Sequence, residues 1–196
     1  MSAHESMEHA EHAEHAAGSN RRIALLIAVI ALFLALSETL GKGAQTESIS
    51  LNVEASNLWA FFQAKSIRST TLQAAAEGLQ AQSDAMVDPV SKAALMKPIE
   101  GWRKTAARYE DEPETGEGRK QLSERAKHAE EERNLAMAKY HHFEIASAAF
   151  QIAIVLASAT IITSMIALAW VSGALAIGGI IFVAIGLFAP LSVHLM

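Results

Sequence analysis

The chain has 196 residues, 51% of them hydrophobic and 19% charged, with a formal net charge of −5 and no cysteine. The missing cysteine excludes disulfides, thiolate metal sites and thiol nucleophiles, and 14 basic against 16 acidic residues between Gly41 and Glu144 leave no footprint for a nucleic-acid partner. No Asp, Glu, Lys or Arg follows Glu144, a charge-free run far beyond the roughly 18–20 residues that cross a bilayer, so an integral membrane protein partnered by lipid is expected.

Residues 1–20 form a polar tail in which His9, His12 and His15 alternate with Glu8, Glu11 and Glu14. On a helix, steps of three drift by about 60° each. These imidazoles are weak metal candidates, because a defined site needs ligands converging from a rigid frame. A solvated tail with no cofactor is the expectation. Gly18 suits a helix stop and Ser19 or Asn20 a cap, so residues 21–40 are read as the first transmembrane helix. Every residue from Ile23 to Leu36 is apolar, and Arg21 and Arg22 can snorkel at one end. A cleaved secretory signal is the rival reading, but the acidic tail ahead of it favours an uncleaved anchor. Glu38 lies near the end of this span, and a carboxylate at membrane depth is a functional hypothesis. With Gln151 of the next span it forms a possible ion path, weighed against plain interfacial placement.

Residues 41–144 read as a helical hairpin domain. Leu51, Ala55, Leu58, Phe62, Leu72, Ala76, Leu79 and Met86 follow steps of four and three, interrupted at Lys65 and Ser69. A matching series runs through Leu122, Ala126, Ala129, Arg133, Ala136, Tyr140 and Phe143. Between them lies an insert over 87–118, broken at Pro89, Pro98 and Pro113. Within it "IEGWRKTAARYE" puts Trp102, Ala106 and Tyr109 on one side of a short helix, and "EDEPETGEG" reads as a solvated loop. The stretch "NLWAFFQAK" carries more aromatic surface than a two-helix hairpin covers, so Trp59 and Phe62 are expected at a subunit contact. His141 and His142 read as interfacial residues.

The second span is placed at 145–171 and the third at 174–195, with a tight turn at Ser172–Gly173. Ala149, Ala153 and Ala157 make a smooth ridge for close helix contact, as do Ala174 and Gly178, and a homo-oligomer contact along the first ridge is expected. The fold class is thus an all-α integral membrane protein, three transmembrane helices with a helical hairpin domain inserted between the first and second. Arg21 and Arg22 lean the tail to the cytoplasm and the helical domain to the other side.

The segments "ALSETLGKGAQTESISLNVEASNLWAFFQAKSIR" and "YEDEPETGEGRKQLSERAKHAEEERNLAMAKYHHFEIASAAFQIAIVLASA" resemble the bacterial membrane family known as domain of unknown function 4337. The resemblance implies a bacterial inner membrane and a plan of one N-terminal span, a helical middle and two C-terminal spans. It implies no activity and no functional residue. No nucleophile elbow, phosphate loop or zinc-hydrolase motif occurs in the chain. A non-enzymatic structural or interaction protein, a homo-oligomeric scaffold, is therefore expected. A small ion-conducting or transport-accessory protein is the alternative, and metal sensing through the histidine tail a weaker one.

Overall fold

The computed structural model describes residues 3–192, with side chains from Arg21 onward, so His9, His12 and His15 lie outside the described side chains. It is all-helical, with no strand among the described residues: α1 (Ala3–Asp84), α2 (Pro89–Glu110), α3 (Arg119–Thr163) and α4 (Ile166–Phe188). The helix expected to begin at Arg21 is a continuation of α1. Segments of α1, α3 and α4 are long and apolar enough to cross a membrane. The chain divides into two units, Met1–Glu47 with Asn134–Met196, and Ser48–Arg133.

In the first unit α1 and α3 run antiparallel, and α4 returns along α3. The core joins Ile30 and Ala44 of α1, Phe143, Ala146, Phe150 and Ala153 of α3, and Ala176 and Val183 of α4. Phe150 is fully buried and stacks on Phe33 with ring centroids 6.1 Å apart. The outward face is apolar instead of polar, with Leu25, Leu32, Ile162, Trp170 and Phe188 all more than 60% exposed. In water such a surface would be a liability; against lipid it is the ordinary arrangement.

The turn between α3 and α4 falls at Ser164–Met165, eight residues before the expected Ser172–Gly173. Ser164 takes the left-handed conformation at φ 57°, and the Thr163 hydroxyl accepts the Met165 amide at 3.3 Å. Ser172 sits inside α4, fully buried, donating its hydroxyl to the Ala153 carbonyl at 2.7 Å. A Ser-Gly pair punctuates a chain in water. Inside an apolar bundle a small residue lets two backbones approach, which is the role Ser172 has here. The shift leaves α4 with 23 residues, about 34 Å of helix, enough for a hydrocarbon core of about 30 Å.

The second unit packs the later part of α1 against α2 and the start of α3. Its buried or half-buried positions on α1 include Leu51, Ala55, Leu58, Phe62, Lys65, Ser69, Leu72, Ala76, Leu79 and Ser83, a heptad spacing without a gap. On α3, Leu122, Ala126 and Ala129 are buried with the same steps. Lys65 and Ser69 therefore do not interrupt the stripe; they continue it with polar groups.

The insert is more ordered than a Pro-broken segment. Asp88 caps α2 by accepting the Val90 and Ser91 amides, and Pro89 starts the helix where no amide partner is needed. Pro98 removes one backbone bond inside the helix, yet α2 continues, held by Ile99 and Ala106, which are 0% and 2% exposed. Trp102, Ala106 and Tyr109 do share the inward face. The Ser91 hydroxyl, then the Ser91 and Val90 amides, hold the Asp88 carboxyl below its ordinary range. A depressed carboxyl stabilises the fold fully above the unfolded value and loses that contribution as pH falls through the folded one. Acidification through the carboxylate range should therefore lower the amide protection factors over the first turn of α2, taken against intrinsic exchange at each pH. Asp88→Asn, which still caps, should flatten that pH dependence while keeping most of the protection.

Candidate functional site

In the first unit the apolar run of α1 ends at Leu36, and that of α3 begins after Glu144. The antiparallel packing brings these two boundaries together. Ser37, fully buried, donates to the Phe143 carbonyl at 2.9 Å, and a Cβ on Gly41 would lie 3.4 Å from the Cβ of Phe143. Beside this close approach lies an open cleft of about 390 Å³. Glu38 and Lys42 line one wall; Tyr140, Glu144, Ser147 and Gln151 line the other.

Glu38 and Gln151, 113 residues apart in sequence, meet here: the Gln151 amide donates to the Glu38 carboxylate at 3.4 Å. Glu144 accepts from the Tyr140 hydroxyl at 3.3 Å and lies 3.7 Å from His141 Nδ1. Lys42 lines the same cleft and makes no ion pair with either carboxylate among the described residues. Steps of four and three carry Tyr140, Glu144, Ser147 and Gln151 along one face of α3, and Glu38 and Lys42 are a turn apart on α1. That polar continuation of a helical stripe is the signal in the sequence that reading Glu38 and Gln151 singly leaves out. Deeper than this pair the interior closes: Ile30, Phe33, Phe150 and Ala153 belong to one apolar core.

His141 and His142 part company. His141 stays at the surface near Glu144, while His142 is 1% exposed and its Nε2–H donates to the Pro190 carbonyl at 3.1 Å. Two adjacent helical residues point about 100° apart, so one turned inward once α4 supplied an acceptor at its end. Among the described residues no three potential metal ligands converge.

The Ala149, Ala153 and Ala157 ridge is used within the chain. Ala153 and Ala157 are 0% exposed, and the Ala153 carbonyl holds Ser172 of α4, so α4 of the same chain approaches this ridge closely. The matching ridge on α4 is not Ala174 and Gly178. It is Ser172, Ala176, Gly179, Val183 and Gly186, all buried, spaced by four and three. Ala174 is exposed and Gly178 has open space around it.

In the second unit Trp59 and Phe62 are half-buried against Leu58, Leu122 and Ala126. Trp59 donates its indole N–H to Glu130 at 2.8 Å and meets Phe62 edge-on, and the Arg119 guanidinium lies 5.2 Å from the Phe62 ring. The cover over this aromatic turn thus comes from the start of α3 within the same chain. A shallow groove beside them is lined by Val53, Glu54, Asn57, Phe61 and Arg125.

No curated protein and no solved structure matches the chain. A family model matches residues 19–189, and the chain accordingly belongs to the family described as Domain of unknown function (DUF4337).

Proposed function

We propose that the protein is a non-enzymatic scaffold of a bacterial inner membrane, anchored by three spans and presenting a helical hairpin domain outside the cytoplasm. What supports this reading is the way polar groups are used. In the second unit they tie its elements together: Trp59 to Glu130, Lys65 to Glu112 and Glu117 of the loop after α2, and Ser69 to the Ala106 carbonyl. In the first unit the core beneath Glu38 and Gln151 is packed phenylalanine, isoleucine and alanine, which suits an anchor and offers ions no route within one chain. The heptad seams make the hairpin stiff, as a coiled coil is stiff.

Homo-oligomerisation belongs to the same proposal. Ile49 and Val53 are 60% and 54% exposed on α1, and Glu54 and Arg125 line one groove with opposite charges, the pattern that a two-fold contact between copies would satisfy. Arg125→Glu should therefore lower the mass of the purified protein in mild detergent to that of one chain. A wild type already monomeric in several detergents would overturn the assembly.

Orientation is tested separately, and the lack of native cysteine makes the test clean. Glu114→Cys, exposed in the loop after α2, should react with an impermeant thiol reagent on intact spheroplasts. Ser2→Cys should react only after lysis. The reverse pattern would place the helical domain in the cytoplasm.

A further inference from the structure

We propose that the cleft between α1 and α3 of the first unit binds a primary ammonium joined to a phosphate, supplied by the headgroup of an ethanolamine phospholipid. The inference rests on the reading that the three apolar segments span a bilayer.

Position is the first reason. Glu38 lies two residues beyond the apolar run of α1, and Glu144 is the last charge before that of α3, so the cleft sits where lipid headgroups begin. One turn deeper on the same faces come Leu34 and Val155, the latter 66% exposed, an apolar strip on which an acyl chain can lie.

Charge is the second. The cleft carries Lys42 on one wall and Glu144 on the other, with Glu38 held, among the described residues, by the long contact to Gln151. A lone phosphate would meet Lys42 but be repelled by two carboxylates. A lone ammonium would meet the carboxylates but be repelled by Lys42. A zwitterion satisfies both signs, through charge-assisted hydrogen bonds that are among the stronger ones available.

The acceptors select the kind of ammonium. A primary ammonium has three N–H donors, which carboxylates and the Gln151 amide oxygen accept. A trimethylammonium has none and is recognised instead by cages of several aromatic rings. Here Phe143 is 3% exposed and only the Tyr140 ring remains, so a choline headgroup is disfavoured. The volume of about 390 Å³ falls within the ~300–1,000 Å³ of small-ligand sites.

The test is lipid retention by the full chain in nanodiscs of phosphatidylcholine mixed with phosphatidylethanolamine or phosphatidylglycerol, counted by native mass spectrometry. The wild type should retain ethanolamine lipid in preference to the other two. Glu38→Gln with Glu144→Gln, and separately Lys42→Gln, should each cut that preference about tenfold, while Lys97→Gln, exposed on α2, should leave it unchanged. Equal retention of the three lipids, or a preference indifferent to these substitutions, overturns the proposal. Should the double variant fail to fold by circular dichroism, Glu144→Gln and Lys42→Gln singly carry the same test, since both side chains are exposed. Displacement of the retained lipid by soluble phosphoethanolamine at equal potency would make the ligand a free metabolite and overturn the lipid source. Alkaline carbonate extraction of the protein from vesicles separates the two levels: a protein that washes off refutes the spanning reading, whereas one that stays without headgroup preference refutes this site alone.

Discussion

Replacing Gly179 by leucine is expected to break the packing of α4 on α3. A Cβ at this position would stand 2.6 Å from Phe150 Cε1 and 2.8 Å from Cζ, closer than atoms tolerate. Phe150 cannot swing aside, because it is fully buried and stacked on Phe33. Overpacking of this kind costs roughly 1–3 kcal/mol or more, so the thermal midpoint of the purified chain should fall by several degrees. Gly178→Leu is the control: nothing lies within 4 Å of a Cβ there, and its midpoint should hardly move. Adding Phe150→Ala to Gly179→Leu should recover part of the loss, a coupling that only a direct contact produces. If both glycines tolerate leucine equally, the register of α4 on α3 given by the Ser172–Ala153 bond is wrong.

That contrast also shows where reading the sequence reached its limit. The stripes from Leu51 to Met86 and from Leu122 to Phe143 are legible because an amphipathic helix in water writes its buried face as apolar residues among polar ones. The second unit buries or half-buries those positions as far as Arg133, and the first unit takes Ala136, Tyr140 and Phe143. Past Glu144 every residue is uncharged, so polarity no longer distinguishes inside from outside. What distinguishes them there is size, since helices in lipid associate where side chains are small. Ser172, Ala176, Gly179, Val183 and Gly186 carry that signal, and taking Ser172–Gly173 for a turn hides it by shifting the span.

The cleft was legible only in outline. Glu38 stands out at the end of one apolar run and Gln151 inside another, and the fold does bring them to 3.4 Å. Lys42, Tyr140 and Glu144 do not stand out, because each follows naturally from a helix leaving an apolar stretch. Their convergence depends on α1 and α3 running antiparallel with Ser37 against Phe143, a register that no local pattern specifies. The aromatic turn is a different case. Its surplus surface is real, but the start of α3 covers part of it, with Arg119 against the Phe62 ring and Glu130 taking the Trp59 indole.

Lys65 should prove the most costly polar residue to remove from the second unit. It is 5% exposed, yet it is charged, and a buried ammonium persists only where partners replace its water. Four do so: the Glu112 carboxylate at 3.2 Å, Glu117 at 3.5 Å, and the rings of Phe61 and Tyr109 at 5.1 and 5.6 Å. Together they pin the loop after α2 to α1. Lys65→Met keeps most of the stem but leaves Glu112, 18% exposed, without its nearest cation. Arg108, 3.5 Å from the other Glu112 oxygen, offsets part of that loss. A hydrogen bond to a charged group is worth about 1.5–3 kcal/mol, so the variant should lose roughly 2 kcal/mol and release the loop. Digestion of the intact chain by a glutamate-specific protease at Glu114 and Glu117 should then accelerate well beyond the wild-type rate. Glu117→Gln should change little, because that carboxylate is 52% exposed and such pairs contribute about 0–1 kcal/mol. Salt should weaken the Glu117 contact and spare the Glu112 one, which water and ions reach poorly. Were Lys65→Met as resistant to protease as the wild type, the loop would be held by the Arg108–Glu112 and Arg119–Glu110 pairs and the Gln121 contacts, and Lys65 would be an ordinary lysine whose charge costs the fold more than it returns.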